Sequence, residues 1–141
     1  MMSNTIRALS NIVKEIAYVR DTIDTVAKNL GINLESASIS IEPRVGNIRP
    51  DALIIEGSNI FAVEYLRKSK PLHSIVKKLV RYANEAEKIF KKHRKFLVVV
   101  FYERVPRQST IGKLIDLLGE CLKDWSILIL DNALKKYLRK L

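Results

Sequence analysis

Residues 49–68 read RPDALIIEGSNIFAVEYLRK. Two apolar runs, residues 51–56 and 59–66, flank the pair Gly57-Ser58. Glycine in the first position of a two-residue loop suits a type II′ turn, so the stretch predicts a β-hairpin. Counting outward from that turn, Glu56 opposes Asn59 and Asp51 opposes Glu64. Directly opposed residues share a face, with Cβ atoms about 4.5–5.5 Å apart. Two carboxylates so placed repel unless a cation lies between them. A hard divalent cation does this, and carboxylate oxygens are its preferred ligands. A three-residue loop would put the two on opposite faces; a bulge would restore the match. Lys68 shares the face of Glu64, and Tyr65 and Arg67 point the other way. Glu64 sits inside the apolar run FAVEYL, where an unpaired carboxylate costs several kcal/mol or takes up a proton. The alternative to a metal is a buried ion pair with a lysine or arginine.

The elements around this hairpin follow from periodicity. Ile12, Ile16, Val19, Ile23, Val26 and Leu30 recur at helical spacing, so residues 4–30 are expected as a helix, with Ser3 or Asn4 as cap and Gly31 ending it. Residues 36–42 alternate, Ala37, Ile39 and Ile41 against Ser38, Ser40 and Glu42, which predicts a half-exposed strand. Pro43 to Pro50 is a turn-rich connection. A second helix is expected over 71–93, its stripe being Leu72, Ile75, Val76, Leu79, Ala83, Ala86 and Phe90. Residues 96–102, FLVVVFY, have no polar face, as in a parallel strand covered on both sides. A helix at 110–122, a strand at 125–130 and a short C-terminal helix capped by Asp131 or Asn132 complete the chain. That last helix carries Lys135, Lys136, Arg139 and Lys140. The expected fold is one α/β domain over residues 1–141, a mixed sheet flanked by helices, in the order α-β-β-β-α-β-α-β-α.

The charge balance points to a polyanionic partner. The 141 residues carry 25 Lys and Arg against 15 Asp and Glu, a net +10, and the isoelectric point is about 9.8. Nucleic acid is the commonest such partner; a charged surface of the thermophile kind is the alternative, and the single glutamine, Gln108, accords with it. Candidate phosphate contacts are Arg49, Arg67, Lys77, Lys78, Arg81, Lys91, Lys92 and Arg94. The run KIFKKHRK, residues 88–95, also places cations at a helix C-terminus, where the dipole favours them. His73 opens the second helix near the proposed site, and His93 lies within the basic run as a solvated side chain. No apolar run approaches the about 20 residues that span a bilayer, and the N-terminal stretch lacks the pattern of a signal peptide. A cytoplasmic protein without a membrane segment is expected. The lone Cys121 has no disulfide partner and no zinc-ligand neighbours, and is expected to pack in the core. No glycine-rich phosphate loop follows any strand, which disfavours a nucleotide-binding α/β protein.

The hairpin and the element order together resemble the PD-(D/E)xK, or restriction-endonuclease-like, nuclease superfamily. The resemblance covers roughly residues 4–102. Pro50-Asp51 matches the first motif, Glu64 the acidic residue of the second, and LVRYANEAE, residues 79–87, is similar to the helix after the catalytic hairpin. It implies hydrolysis of phosphodiester bonds in DNA, with Asp51 and Glu64 holding Mg²⁺ or Mn²⁺. It also implies a lysine that orients the attacking water, but Leu66 stands at that position, and Lys68 is the candidate replacement. Relatives among the archaeal Holliday-junction resolvases add a glutamate from the first helix, which here would be Glu15. Absence of the motif lysine leaves a second outcome open, an inactive nuclease fold that binds nucleic acid or scaffolds a complex. A homodimer is expected, both from the resemblance and from the apolar surface of FLVVVFY and WSILIL.

Overall fold

The computed structural model describes residues 4–44, 49–66, 71–101 and 106–140, with side chains from residue 17 to residue 138 within those ranges. The chain runs α1 (Asn4–Leu30), β1 (Ser38–Ile41), β2 (Ala52–Glu56), β3 (Asn59–Leu66), α2 (Leu72–Ile89), β4 (Arg94–Phe101), α3 (Gln108–Cys121), β5 (Trp125–Asp131) and β6 (Lys136–Lys140). It is a mixed α/β fold. Six strands form one sheet in chain order, β1-β2-β3-β4-β5-β6. The three strands β3, β4 and β5 are parallel, while β1, β2 and β6 join antiparallel. Helical crossovers supply the two parallel joins, as parallel pairing requires.

Each face of the sheet has its own apolar layer. Val19, Ile23, Val26 and Ala27 of α1 pack on Ala52, Ile54, Phe61, Val63, Val98, Val100, Leu128 and Leu130. The opposite face packs Leu53, Ile60, Ala62, Leu66, Leu97, Val99, Ile127 and Ile129 against α2 and α3. Burial on both faces accounts for the unbroken apolar run of β4, whose residues 97–100 are fully buried. Gly31 ends α1 with φ +68, the left-handed residue that suits a helix C-terminus.

Three expectations change. The chain's end is not a helix: residues 136–140 form β6, antiparallel to β5. Asp131 does hydrogen-bond like a cap, its Oδ1 accepting from the backbone N–H groups of Ala133 (3.1 Å) and Leu134 (3.2 Å). Lys135 then takes φ +54, which reverses the chain instead of continuing a helix. The second helix stops at Ile89, so Lys91 and Lys92 lie in the following turn and Arg94 opens β4. Cys121, expected in the core, is exposed at the last residue of α3. Among the described residues no helix is long and apolar enough to cross a membrane.

Candidate metal centre at the mouth of the hairpin

The hairpin register is the one its turn chemistry specifies. Gly57 has φ +56, Glu56 pairs with Asn59, and the ladder continues rung by rung to Ala52–Val63. Continued one residue past that ladder, the register sets Asp51 beside Glu64, and the two charges act on one another. Both therefore face α2, on the side of Leu53, Ala62 and Leu66. Asp51 is fixed from its own strand mouth, where its Oδ2 accepts the backbone N–H of Tyr65 at 2.7 Å. Its backbone carbonyl accepts from the N–H of Glu42, just past β1, at 2.9 Å.

Glu64 is only 1% exposed. Its Oε1 accepts a hydrogen bond from Lys78 Nζ of α2 at 2.5 Å. Its Oε2 is buried without a hydrogen-bond partner. Burial, and next the negative charge of Asp51, push the Glu64 carboxyl up to about 7, although Lys78 and, more weakly, the nearby Tyr82 hydroxyl pull the other way. Tyr82, one helical turn beyond Lys78, closes the site. Its hydroxyl donates to the carbonyl of Arg49 at 2.8 Å, which ties α2 to the segment leading into Pro50-Asp51. The ammonium of Lys78 lies 5.6 Å from the centre of the Tyr82 ring, within cation–π range. Burial and the two nearby carboxylates hold the Tyr82 hydroxyl above its usual range.

The donor set suits a hard divalent cation. Both candidate ligands are carboxylates, and Oε2 of Glu64 is buried. Among the described residues no group of three or more His, Cys, Asp or Glu is placed to hold a metal ion. Two carboxylates with the other positions left to water is how Mg²⁺ is commonly held.

The remaining sequence candidates separate. Arg67 and Lys68 lie outside the described residues. The backbone of Glu15 belongs to α1, whose packed residues sit on the sheet face away from Glu64; the Glu15 side chain is outside the described set. Arg49 is exposed on the approach to Asp51, and Lys77 and Arg81 are exposed on α2. Lys91, Lys92 and Arg94 are exposed at the opposite end of the sheet. Arg94 stands opposite Asn59, whereas Glu64 stands opposite Val99, a separation of about 17 Å along the strand at about 3.3 Å per residue. His73 is exposed. The His93 ring packs edge-on against Phe90 with 5.4 Å between centres, and its Nδ1 is buried, so the side chain is half-buried and not fully solvated.

Lys78, expected among the phosphate contacts, is the partner of Glu64, and Tyr82 had no expected role. One signal for both was present in the sequence. They flank the apolar stripe of α2, with Lys78 three residues after Ile75 and four before Tyr82, so they share a helix edge.

No family model matches the chain, and no curated protein matches it. Among solved structures, Pyrococcus furiosus SfsA in complex with Ca²⁺ is similar at a TM-score of 0.38 and 22% identity, over 77% of this chain and 55% of that one. The chain thus spans little more than half the length of that protein, and a likeness of this size assigns neither a fold family nor an activity.

Proposed function

We propose that this protein is a metal-dependent phosphodiesterase acting on nucleic acid, DNA by preference, on the plan of the PD-(D/E)xK nucleases. One observation carries the reading: Glu64 is buried in an apolar strand, one step beyond the paired hairpin ladder and close enough to Asp51 for the two negative charges to act on one another. Such a group is costly to the fold, which marks it as a functional candidate. Asp51 and Glu64 would hold Mg²⁺ or Mn²⁺, and the cation would supply a more acidic bound water and charge neutralisation at phosphorus. Arg49, Lys77 and Arg81 are exposed cations that a phosphate backbone could reach. The net charge of +10 supports a polyanionic substrate.

A second reading has its own observation. Leu66, at the position where the resemblance requires lysine, is 5% exposed and packed under α2. If no other cation serves, the chain is a nuclease fold that binds without cutting. The test is a cleavage panel of duplex, branched and single-stranded DNA and of RNA, with Mg²⁺ and Mn²⁺, on wild type and Asp51→Asn. Metal-dependent cutting that disappears in Asp51→Asn supports the hydrolase; binding without cutting on every substrate supports the binding module.

A further inference from the structure

We propose that Lys78, delivered from α2, is the catalytic cation of this site, and that Tyr82 is its positioning residue. This rests on reading Asp51 and Glu64 as a phosphodiester-cleaving centre, and it names the group that replaces the lysine absent from position 66.

The packing leaves little room for a cation from β3. Leu66 contributes to the apolar layer with Ile75, Leu79 and Tyr82, so a lysine there would carry its ammonium into packed hydrocarbon. Lys78 reaches the same carboxylate from above. It sits at the edge of the buried stripe of α2, between Ile75 and Tyr82. Its side chain is 44% exposed, while that of Glu64 is 2% exposed. The ammonium therefore stands between a buried carboxylate and solvent, where an incoming phosphate has to arrive.

A surface ion pair explains this geometry less well. Such a pair lets a flexible side chain wander, whereas Lys78 is held by Glu64 and by the Tyr82 ring. The ring is itself anchored through its hydroxyl to the Arg49 carbonyl. Tyr82 thus couples the helix that carries the cation to the segment that carries Asp51. Lys77 and Arg81, although nearby in sequence, lie on the exposed face of α2.

In the reaction, the oxygen of water bonds to phosphorus as the ester P–O bond breaks. The attacking water gives a proton to solvent, and the leaving oxygen takes one from solvent. Lys78 keeps its proton throughout and donates a hydrogen bond to the non-bridging oxygen whose charge grows, the role of a preorganised donor.

The test compares wild type, Asp51→Asn, Lys78→Met, Lys78→Arg and Tyr82→Phe. Steady-state kinetics are read on the best substrate of the panel, and Mn²⁺ affinity is read by calorimetry without substrate. Lys78→Met should lower kcat about 100-fold or more, the usual cost of one such donor, with KM little changed. Its Mn²⁺ affinity should be kept or improved, since a positive neighbour of the metal is gone. Lys78→Arg should recover part of kcat. Tyr82→Phe should lower kcat about tenfold, on the order of one positioning interaction, with Mn²⁺ affinity unchanged. Full kcat in Lys78→Met, while Asp51→Asn is inactive, overturns this inference alone. Abolished Mn²⁺ binding in Lys78→Met also overturns it, because Lys78 would then only hold the site together. Wild type that binds Mn²⁺ and cuts nothing overturns both this inference and the hydrolytic reading.

Discussion

Glu64 is where the fold tolerates an unfavourable group, and pH should reveal it. Its carboxyl titrates near 4.5 in an unfolded chain and about 7 in the folded one. Between those values the folded state holds the extra proton, so stability falls as pH rises from about 4.5 to about 7. Below that window the cost is absent; above it the full cost, about 3 kcal/mol from the size of the shift, is present. Metal-free wild type should therefore become less stable between pH 5 and pH 8, and Glu64→Gln should flatten that slope. Melting curves at the two pH values check this; equal slopes would mean that Glu64 is not the buried titrating group. Asp51→Asn should move the Glu64 midpoint downward, since it removes a negative neighbour. Asp51 and Glu64 were legible in the sequence because a two-residue turn fixes which residues oppose each other. The pairing of Glu64 with Lys78 was not, because it crosses from a strand to a helix through tertiary packing that no local period encodes.

Element by element, the parallel strands and the helices covering them followed from apolar periodicity, and the chain's end did not. Lys136–Lys140 is five residues long, too short for a period of two to be told from a helical edge, and Asp131 looks the same as a helix cap and as a turn residue. What settles it is Lys135 at φ +54, a conformation that is costly for lysine and suits asparagine or glycine. Lys135 also makes an exposed ion pair with Asp21 at 3.2 Å, worth little in water. Lys135→Asn should thus stabilise the protein by roughly 0.5–1 kcal/mol, read as a rise in denaturation midpoint; a fall would mean that the Asp21 ion pair matters more than the backbone. The two basic groups belong to different ends of α2, and they should behave differently. Neutralising Lys77 and Arg81 should weaken nucleic-acid binding and flatten its salt dependence by about one unit of slope for each phosphate no longer neutralised. Neutralising Lys91, Lys92 and Arg94, about 17 Å away along the sheet, should do so less on short substrates and comparably on long ones. Equal effects on short substrates would place the backbone path elsewhere.

For the molecule as a whole, the apolar strands offered as a reason for dimerisation are covered by helices within one chain, Val98, Val99, Leu128 and Ile129 being fully buried. A dimer has to draw on another surface, and the edge strand β1 is the one we propose. Its four residues carry no charge and all are exposed, Ile39 and Ile41 at 39% each, while the other edge, β6, opens with the exposed Lys136. Charges of that kind guard an edge against pairing, and β1 lacks them. A two-fold axis through Ser40 would set Ile39 against Ile41 of a second copy. Light scattering at tens of micromolar should show a dimer that Ile41→Lys returns to monomer; a wild-type monomer removes the idea. The centre itself has a different geography. Asp51, Glu64, Lys78, Tyr82 and the Arg49 carbonyl all come from one uninterrupted piece of chain, residues 49–82, while α1, α3, β5 and β6 serve to cover and brace it. Heredity can therefore handle the chemistry as a single parcel. Recombination elsewhere in the gene would exchange the surroundings and leave the reactive groups together, and a designer wishing to move them to another α/β host would need to carry only a hairpin and the helix that follows it.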